Sequence, residues 1–323
     1  MKTPKKIAEI LNKKQAYIDL QRGKLESSVI KIQSQLLDKL LAEIIPSLDI
    51  KDGIIQDTTK NYRILSGLDK VYDKFTASLL IGLEFAKTTT KIVELNKALF
   101  ERTLTDISAR FEKIIEATAN KINLKIGLQN NKLIPNGFLN SVIKDKTIIT
   151  DVKSYVSKSI TGQVDQKDFV RGLSNLIQGE PKIVDGKVIR TGRLERQYRQ
   201  YGYDLYQQYD RAYSSSLATE FEMNYFLYQG GLIEDSRDFC VAHNNKVWTR
   251  EEAADWDTWK PYMGEYPAGY EIKQKDIYDI PSYLGYPGYQ PLIDAGGYNC
   301  RHSIGYISDE LAFQMRPELK GSE

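Results

Sequence analysis

The sequence predicts an α+β protein that is mostly α-helical, with a long helical N-terminal region followed by a small α+β C-terminal domain. Three observations support this fold class. Apolar residues recur at three- and four-residue steps over long stretches before residue 130, which is the helical period. Aromatic residues concentrate later, because 17 of the 21 tyrosines and all three tryptophans lie between Tyr198 and Tyr306. A loop rich in Gly, Pro and Tyr spans residues 261–297 and separates two Cys/His pairs.

These patterns divide the chain into three predicted regions. Residues 1–135 form an N-terminal long-helix region, and residues 136–190 form a linking region of short helices and a hairpin. Residues 191–323 form the C-terminal domain, in which the long loop is tied by the Cys/His cluster. The boundary near 135 rests on Pro135-Asn136-Gly137, a combination typical of turns.

The N-terminal region is predicted to consist of long amphipathic helices. The first spans residues 4–48 and ends at Pro46, which lacks the backbone N–H that the next helical hydrogen bond needs. Helical periodicity returns over 62–83 and continues toward 111–126, with predicted breaks at Thr88-Thr89-Thr90 and Asn130-Asn131. Long helices with few turns predict an extended bundle or stalk.

Shorter elements are predicted after residue 137. Helices cover 138–161 and 166–178, and a hairpin at 183–189 turns at Asp185-Gly186. A helix from about 194 to 222 leads into a strand at 225–228. A capping box from Thr249 to Glu252 predicts a short helix that carries Trp256 and Trp259.

Composition and charge limit the function classes. No apolar run approaches the roughly 20 residues of a membrane span, and the N-terminus does not resemble a signal peptide. We therefore expect a cytoplasmic chain whose two cysteines are thiols. Residues 1–200 carry 35 Lys and Arg against 23 Asp and Glu, and residues 201–323 carry 10 against 20. The basic half either faces nucleic acid or an acidic protein surface, or is simply solvated.

The two cysteines and two histidines of the chain fall into two tight pairs, Cys240 with His243 and Cys300 with His302. Two thiolates and two imidazoles are a common tetrahedral zinc set, so we predict a structural zinc site with these four ligands. A metal would close the long loop between the pairs, and Gly296-Gly297 would let the backbone bend close to an ion. Four protein ligands leave no open position for a water nucleophile, so this zinc would not be catalytic.

Alternative interpretations of the Cys/His pairs remain open at this stage. The cysteines could be small buried hydrophobic residues or form a disulfide, and the histidines could be hydrogen-bonded packing residues. The single residue between Cys300 and His302 is also tighter than the usual zinc-ligand spacing.

The sequence does not predict an enzyme, and no catalytic or cofactor-binding residue is assigned apart from the metal ligands. It contains no Gly-rich phosphate loop and no HExxH motif. Ser214-Ser215-Ser216 lies within a helical pattern, and Asp235 with Arg237 is expected to make local ion pairs and caps.

An ordered series of motifs resembles the phage Mu protein F-like family of minor head, or head morphogenesis, proteins. The series covers roughly residues 190–308. It comprises Leu194-Glu-Arg-Gln-Tyr198, Tyr209-Asp-Arg211-Ala-Tyr213, Phe226-Leu-Tyr-Gln-Gly-Gly-Leu-Ile233, Asp235-Ser-Arg237-Asp-Phe-Cys240, His243, Lys246-Val-Trp-Thr-Arg-Glu-Glu252 and Gly296-Gly-Tyr-Asn-Cys-Arg-His302.

This resemblance implies a structural protein of the virion. It would be assembled in the host cytoplasm and lie inside the capsid near the portal vertex, with a role in head assembly or in genome packaging or ejection. The implied partners are portal or capsid proteins, a second copy of the chain in the virion, and packaged double-stranded DNA without sequence preference. The family's Cys and His pattern maps onto the four residues named above. The alternative is a zinc-stabilised nucleic-acid-binding protein that uses the basic half, and an enzyme or toxin is third.

Overall fold

The computed structural model describes residues 4–77, 81–104, 110–184, 187–201, 204–273, 287–297 and 300–321, and it confirms a mostly α-helical α+β fold. The helices are α1 (Pro4–Ile44), α2 (Thr59–Ala77), α3 (Ile81–Thr103), α4 (Phe111–Ile126), α5 (Phe138–Ile143), α6 (Thr147–Thr161), α7 (Gln166–Gln178), α8 (Arg193–Tyr201), α9 (Leu205–Glu220), α10 (Asp238–His243), α11 (Arg250–Ala254), α12 (Pro291–Asp294) and α13 (Asp309–Met315). The strands are β1 (Ile50–Lys51), β2 (Ile54–Ile55), β3 (Leu128–Gln129), β4 (Lys132–Leu133), β5 (Lys182–Val184), β6 (Lys187–Ile189), β7 (Tyr225–Gln229), β8 (Lys246–Thr249) and β9 (Ser303–Ile307).

Contacts within the chain define two compact units. Unit 1 combines Met1–Arg22, Phe85–Asn131 and Asp204–Glu323, and unit 2 combines Gly23–Glu84 and Lys132–Tyr203. These boundaries differ from the sequence-based regions 1–135, 136–190 and 191–323. The reason is that α1 and α3 are long, and different parts of each helix belong to different units.

Unit 2 confirms several local predictions. A 3-10 turn that contains Pro46 follows α1, and α7 has the predicted bounds with Asp165 as its N-cap. The carboxylate of Asp165 accepts a hydrogen bond from the Lys167 amide at 2.8 Å. Strands β5 and β6 pair antiparallel as the predicted hairpin, while the Asp185-Gly186 turn lies outside the described residues.

The two predicted breaks in the long helices have different outcomes. Thr88-Thr89-Thr90 lies inside α3, so that prediction is wrong. The hydroxyl groups of Thr89 and Thr90 donate hydrogen bonds to the Ala86 carbonyl oxygen, at 3.0 and 2.9 Å, and this local bonding is compatible with a helix. Asn130 and Asn131 both adopt positive φ after α4 and confirm the second break.

Unit 1 is built around an antiparallel sheet with strand order β8-β7-β9. Strand β7 confirms the strand predicted at 225–228, and its Tyr228 pairs with Lys246 on one side and Ile304 on the other. The helix predicted over 194–222 is two helices, α8 and α9, of which only α9 belongs to unit 1. The core on one side of the sheet contains Ile7, Leu11, Leu99, Tyr225, Leu227, Val247, Ile307, Leu311, Ala312 and Leu319.

A buried ion pair and the hydrogen bonds around it link three helical segments of unit 1. Lys14 Nζ lies 2.8 Å from Asp210 Oδ1, and both side chains are fully buried. Asn96 accepts a hydrogen bond from Lys14 at 2.9 Å and donates one to Asp210 at 2.7 Å. Ser214 donates a further hydrogen bond to Asn96 at 2.8 Å. This network links the start of α1 to α3 and α9.

The capping box is confirmed, but the helix it starts is shorter than predicted. Thr249 and Glu252 exchange the two expected hydrogen bonds at the start of α11. Trp256 lies in the 3-10 turn that follows, Asp255–Thr258, and Trp259 comes after that turn. The helix therefore ends before either tryptophan. The described parts of the 261–297 loop contain only short helical turns, and residues 274–286 lie outside the described residues.

Candidate metal centre

Three of the four predicted ligands lie together in unit 1. Cys240 belongs to α10, while Cys300 and His302 directly precede β9. The Cys240 and Cys300 sulfur atoms are 4.0 Å apart, and Cys300 Sγ lies 3.9 Å from His302 Nδ1. The three ligand atoms lie within 4.8 Å of one another, and all three residues are buried. A disulfide bond would need about 2.05 Å between the sulfurs, so these cysteines are free thiols.

The spacing of these atoms fits a metal ion such as zinc. With zinc–sulfur bonds of about 2.3 Å and zinc–nitrogen bonds of about 2.0–2.1 Å, a tetrahedron has edges of about 3.8 Å between two sulfurs and about 3.6 Å between sulfur and nitrogen. The observed distances of 4.0 and 3.9 Å exceed these edges by only a few tenths of an ångström. Two thiols and an imidazole are also donors that zinc prefers. The cluster can therefore hold a metal.

His243 is not part of this group. Its Nδ1 lies 2.7 Å from the Phe239 carbonyl oxygen, which can only accept, so Nδ1 carries the proton. The ring stacks on Phe239 at 3.8 Å between centroids and on Trp248 at 4.4 Å. Burial lowers the pKa of His243 to about 3 and keeps the imidazole neutral. The structure thus places three predicted ligands together and the fourth in an aromatic cluster.

The two thiols influence each other's ionisation. The hydrogen bond to Cys300, followed by burial, raises the pKa of Cys240 well above its usual value. Burial also acts to raise the pKa of Cys300, but the hydrogen bond from Cys240, the charge of Arg211 and the contact with His302 outweigh it and hold that pKa well below the usual value. The two thiols therefore titrate as a coupled pair, in which Cys300 is the easier of the two to ionise.

A fully buried arginine holds the backbone of the second pair. Arg211 projects from α9 and donates hydrogen bonds only to main-chain carbonyl oxygens. Its Nη2 bonds to Cys300 at 2.8 Å and to His302 at 2.7 Å, and its Nη1 bonds to Ile293 at 2.8 Å. The guanidinium thereby fixes both ends of the short Cys300–His302 segment and brings a positive charge close to the sulfurs.

A tight turn covers the two sulfurs from the other direction. A Cβ atom on Gly296 would lie 2.6 Å from Cys240 Sγ and 3.2 Å from Cys300 Sγ, so only glycine fits. The Gly297 amide donates to the Asp294 carbonyl at 2.9 Å across this turn. Ala295 adopts φ 51° and ψ −117° within it, a region that favours glycine. The predicted close approach of Gly296 to the site is confirmed.

Tyr228 completes the surroundings of the cluster. Its hydroxyl oxygen lies 3.3 Å from Cys300 Sγ and 3.6 Å from Cys240 Sγ. Its ring stacks on His302, with centroids 4.8 Å apart and planes inclined by 6°. Burial, followed by the two nearby sulfurs, raises the pKa of Tyr228 well above its usual value.

The sequence alone did not indicate roles for Arg211 or Tyr228. An arginine flanked by Tyr209 and Tyr213 within a predicted helix is a signal that could have pointed to Arg211. Tyr228 gives no such signal, because an aromatic residue in an apolar strand is ordinary core composition.

Comparisons with known proteins return no relative: no protein-family model matches the chain, and neither a curated protein nor a solved structure does. Within the described residues, none of the helices combines the length and the apolar character that crossing a membrane requires.

Proposed function

We propose that this chain is a structural protein of a phage head, in which zinc bound by Cys240, Cys300 and His302 stabilises the fold of unit 1. The resemblance of residues 190–308 to the minor head proteins supplies the biological setting. In that setting the protein lies inside the capsid near the portal, contacts portal or capsid proteins and packaged DNA, and acts in assembly or in genome packaging or ejection.

One observation carries the structural role: residues of the resembling motifs build the cluster and its supports. Arg211 fixes the Cys300–His302 backbone, Tyr228 lies against both sulfurs, and Gly296 packs on them. Asp238, from the same motif series, is buried and accepts hydrogen bonds from the Tyr270 hydroxyl at 2.7 Å and the Lys273 amide at 3.1 Å. Side chains engaged in holding the backbone in this way favour an architectural role over catalysis.

Burial supports a structural metal. Cys240 and Cys300 are each 4% exposed and His302 is 2% exposed, so substrate has no direct access to the cluster. Zinc bound by such ligands contributes its binding free energy to folding. It would connect Cys240 in α10 to Cys300 before β9, and 59 residues of the chain lie between these two, many of them in the Gly- and Pro-rich loop.

The two histidines provide a matched test of the metal site. Protein purified without a chelator should contain about one zinc per chain by elemental analysis. His302→Gln should lose most of this zinc, whereas His243→Gln should retain it, because His243 lies outside the ligand group. A metal-free wild-type protein, or equal zinc in both variants, would contradict the assignment.

The place in the virion is tested on phage particles that encode this chain. Purified, DNA-filled heads should contain the protein, and external protease should not digest it until the capsid is opened. Cross-linking followed by mass spectrometry should connect it to the portal or to the capsid lining. Its absence from particles, or digestion of the protein on intact heads, would refute the proposed role.

A further inference from the structure

The proposed zinc site has three ligands, whereas structural zinc is almost always bound by four. The identity of the fourth donor is therefore an open question that the structure can address. The assignment of this donor rests on the proposed zinc site and adds one residue to it.

Familiar alternatives for the fourth ligand are absent from the described residues. The group of Cys, His, Asp and Glu ligand atoms within 4.8 Å of one another contains Cys240, Cys300 and His302 alone. His243 is not in that group, and its ring lies among Phe239, Trp248 and Trp256. Gly296 packs so closely on the two sulfurs that a methyl group added to its Cα would not fit. Among the residues that the structure describes, a protein donor would then come from another residue type.

The Tyr228 hydroxyl oxygen occupies a suitable position. Its distances to the two sulfurs are 3.3 and 3.6 Å, and a zinc tetrahedron has sulfur–oxygen edges of about 3.6 Å for a zinc–oxygen bond of about 2.0–2.2 Å. The Tyr228 ring also stacks on the ring of His302, a proposed ligand, with centroids 4.8 Å apart. The sulfurs are the polar partners of this hydroxyl.

Packing holds the Tyr228 ring in this position. Tyr228 lies in the central strand of the sheet, between Lys246 and Ile304, and it is fully buried. Phe239 and Trp256 meet the ring edge-on, with centroids 5.9 and 5.6 Å away. A ring confined in this way is preorganised, so little conformational entropy is lost when its oxygen binds an ion.

We propose that the hydroxyl oxygen of Tyr228 is the fourth ligand of the metal, completing a site of two sulfurs, one nitrogen and one oxygen. As the metal binds, the Tyr228 hydroxyl proton and the protons of the two thiols leave to solvent. Two thiolates and one phenolate give a divalent zinc centre a net charge of −1, and Arg211 supplies the compensating positive charge beside it. A buried arginine that bonds only to carbonyl oxygens is stabilised by such a neighbour.

The test compares Tyr228→Phe with Tyr306→Phe in the full-length, zinc-loaded protein. Tyr306 is a buried tyrosine on β9 of the same sheet, so the control removes the same atom from a similar environment. Zinc affinity, measured by competition with a chelating dye, should fall at least tenfold in Tyr228→Phe and stay within about threefold of wild type in Tyr306→Phe.

A second measurement begins with the wild-type protein itself. With tyrosine labelled at the ring carbon that bears the hydroxyl, the wild-type zinc protein should show one carbon resonance of phenolate type at neutral pH. This resonance should persist in Tyr306→Phe and disappear in Tyr228→Phe. Zinc at one per chain without such a resonance would overturn the role of Tyr228 and leave the zinc site intact, whereas a wild-type protein without zinc would overturn the site itself.

Discussion

Arg211 donates two hydrogen bonds to the carbonyl oxygen of His302, from Nε at 2.9 Å and from Nη2 at 2.7 Å. This relationship couples α9 to the candidate metal ligands across 91 residues of sequence. The planar guanidinium suits the task because its donors point in fixed directions, and it reaches the carbonyl oxygens of Cys300, Ile293 and Asp294 at the same time.

Replacing Arg211 should therefore destabilise unit 1 strongly. Arg211→Met leaves four carbonyl oxygens without these donors, three of them in buried hydrogen bonds, and each unsatisfied buried group costs about 1–3 kcal/mol. We expect the free energy of unfolding to fall by at least about 3 kcal/mol in urea denaturation. Arg211→Lys should recover part of this loss, since lysine keeps the charge but not the fork of donors.

The control for this series is Arg171→Lys. Arg171 forms an exposed ion pair with Asp168, and such pairs contribute about 0–1 kcal/mol. An Arg211→Met protein whose free energy of unfolding lies within about 1 kcal/mol of wild type would show that the carbonyl oxygens find other donors.

Gly296→Ala should disturb the sulfurs directly. The added Cβ would lie 2.6 Å from Cys240 Sγ, so either the turn or the sulfur must move. Overpacking of this kind costs about 1–3 kcal/mol, and we expect zinc content after dialysis to fall with it. Gly231→Ala is the matched control, because nothing lies within 4 Å of the position its Cβ would take. Equal zinc content and stability in the two variants would contradict the close packing of Gly296.

The sequence predicted local features better than long-range ones, for a physical reason. The α7 bounds, the capping box of Thr249 and the hairpin strands all depend on residues within a few positions of each other. Arg211 and its carbonyl partners are separated by 82 to 91 residues, and no local pattern encodes such a contact.

The candidate site shows the same limit. Pairing of Cys and His in sequence correctly grouped Cys240 with Cys300 and His302. The same reasoning assigned His243 because it lies three residues after Cys240. The spacing did not indicate that this imidazole would bond to Phe239 and stack on Trp248. Whether His243 is a metal ligand or a core residue depends on neighbours that β8 brings close in the fold. The spacing of Cys and His in the sequence gives no information about those neighbours.

Acid should destabilise the protein partly through His243. Burial lowers its folded-state pKa to about 3, whereas in the unfolded chain the pKa is near 6.5. The unfolded chain therefore binds the proton more readily, and stability is lost as the pH falls from about 6.5 toward 3. Each pKa unit between the folded and unfolded states corresponds to about 1.4 kcal/mol of stability, so even a part of the full difference is measurable.

The His243→Gln variant tests this acid dependence. Its free energy of unfolding should be lower at neutral pH, since ring stacking is lost, but should fall less steeply than that of wild type between pH 6.5 and about 3. Zinc release in acid lowers the stability of both proteins. The difference between their curves of unfolding free energy against pH therefore reports the contribution of His243. Parallel curves would mean that this imidazole is solvated in the folded protein.

A fragment that begins at residue 136 should not fold, although it contains all of the C-terminal domain predicted at residues 191–323. Unit 1 requires Met1–Arg22 and Phe85–Asn131 as well as Asp204–Glu323. The fragment would lack Lys14 and Asn96 and so leave the buried Asp210 carboxylate without its ion pair. Removing one partner of a buried pair typically costs about 3–5 kcal/mol, and the core contributed by Ile7, Leu11 and Leu99 would be lost as well.

We therefore expect the 136–323 fragment to be insoluble or unfolded by circular dichroism, and co-expression with residues 1–135 to restore a soluble complex. In the full chain, Lys14→Met should lower the free energy of unfolding by about 3 kcal/mol or more. The double variant Lys14→Met with Asp210→Leu should recover part of that loss, because no unpaired charge remains buried. A soluble, cooperatively folded 136–323 fragment would show that the N-terminal segments are dispensable for unit 1.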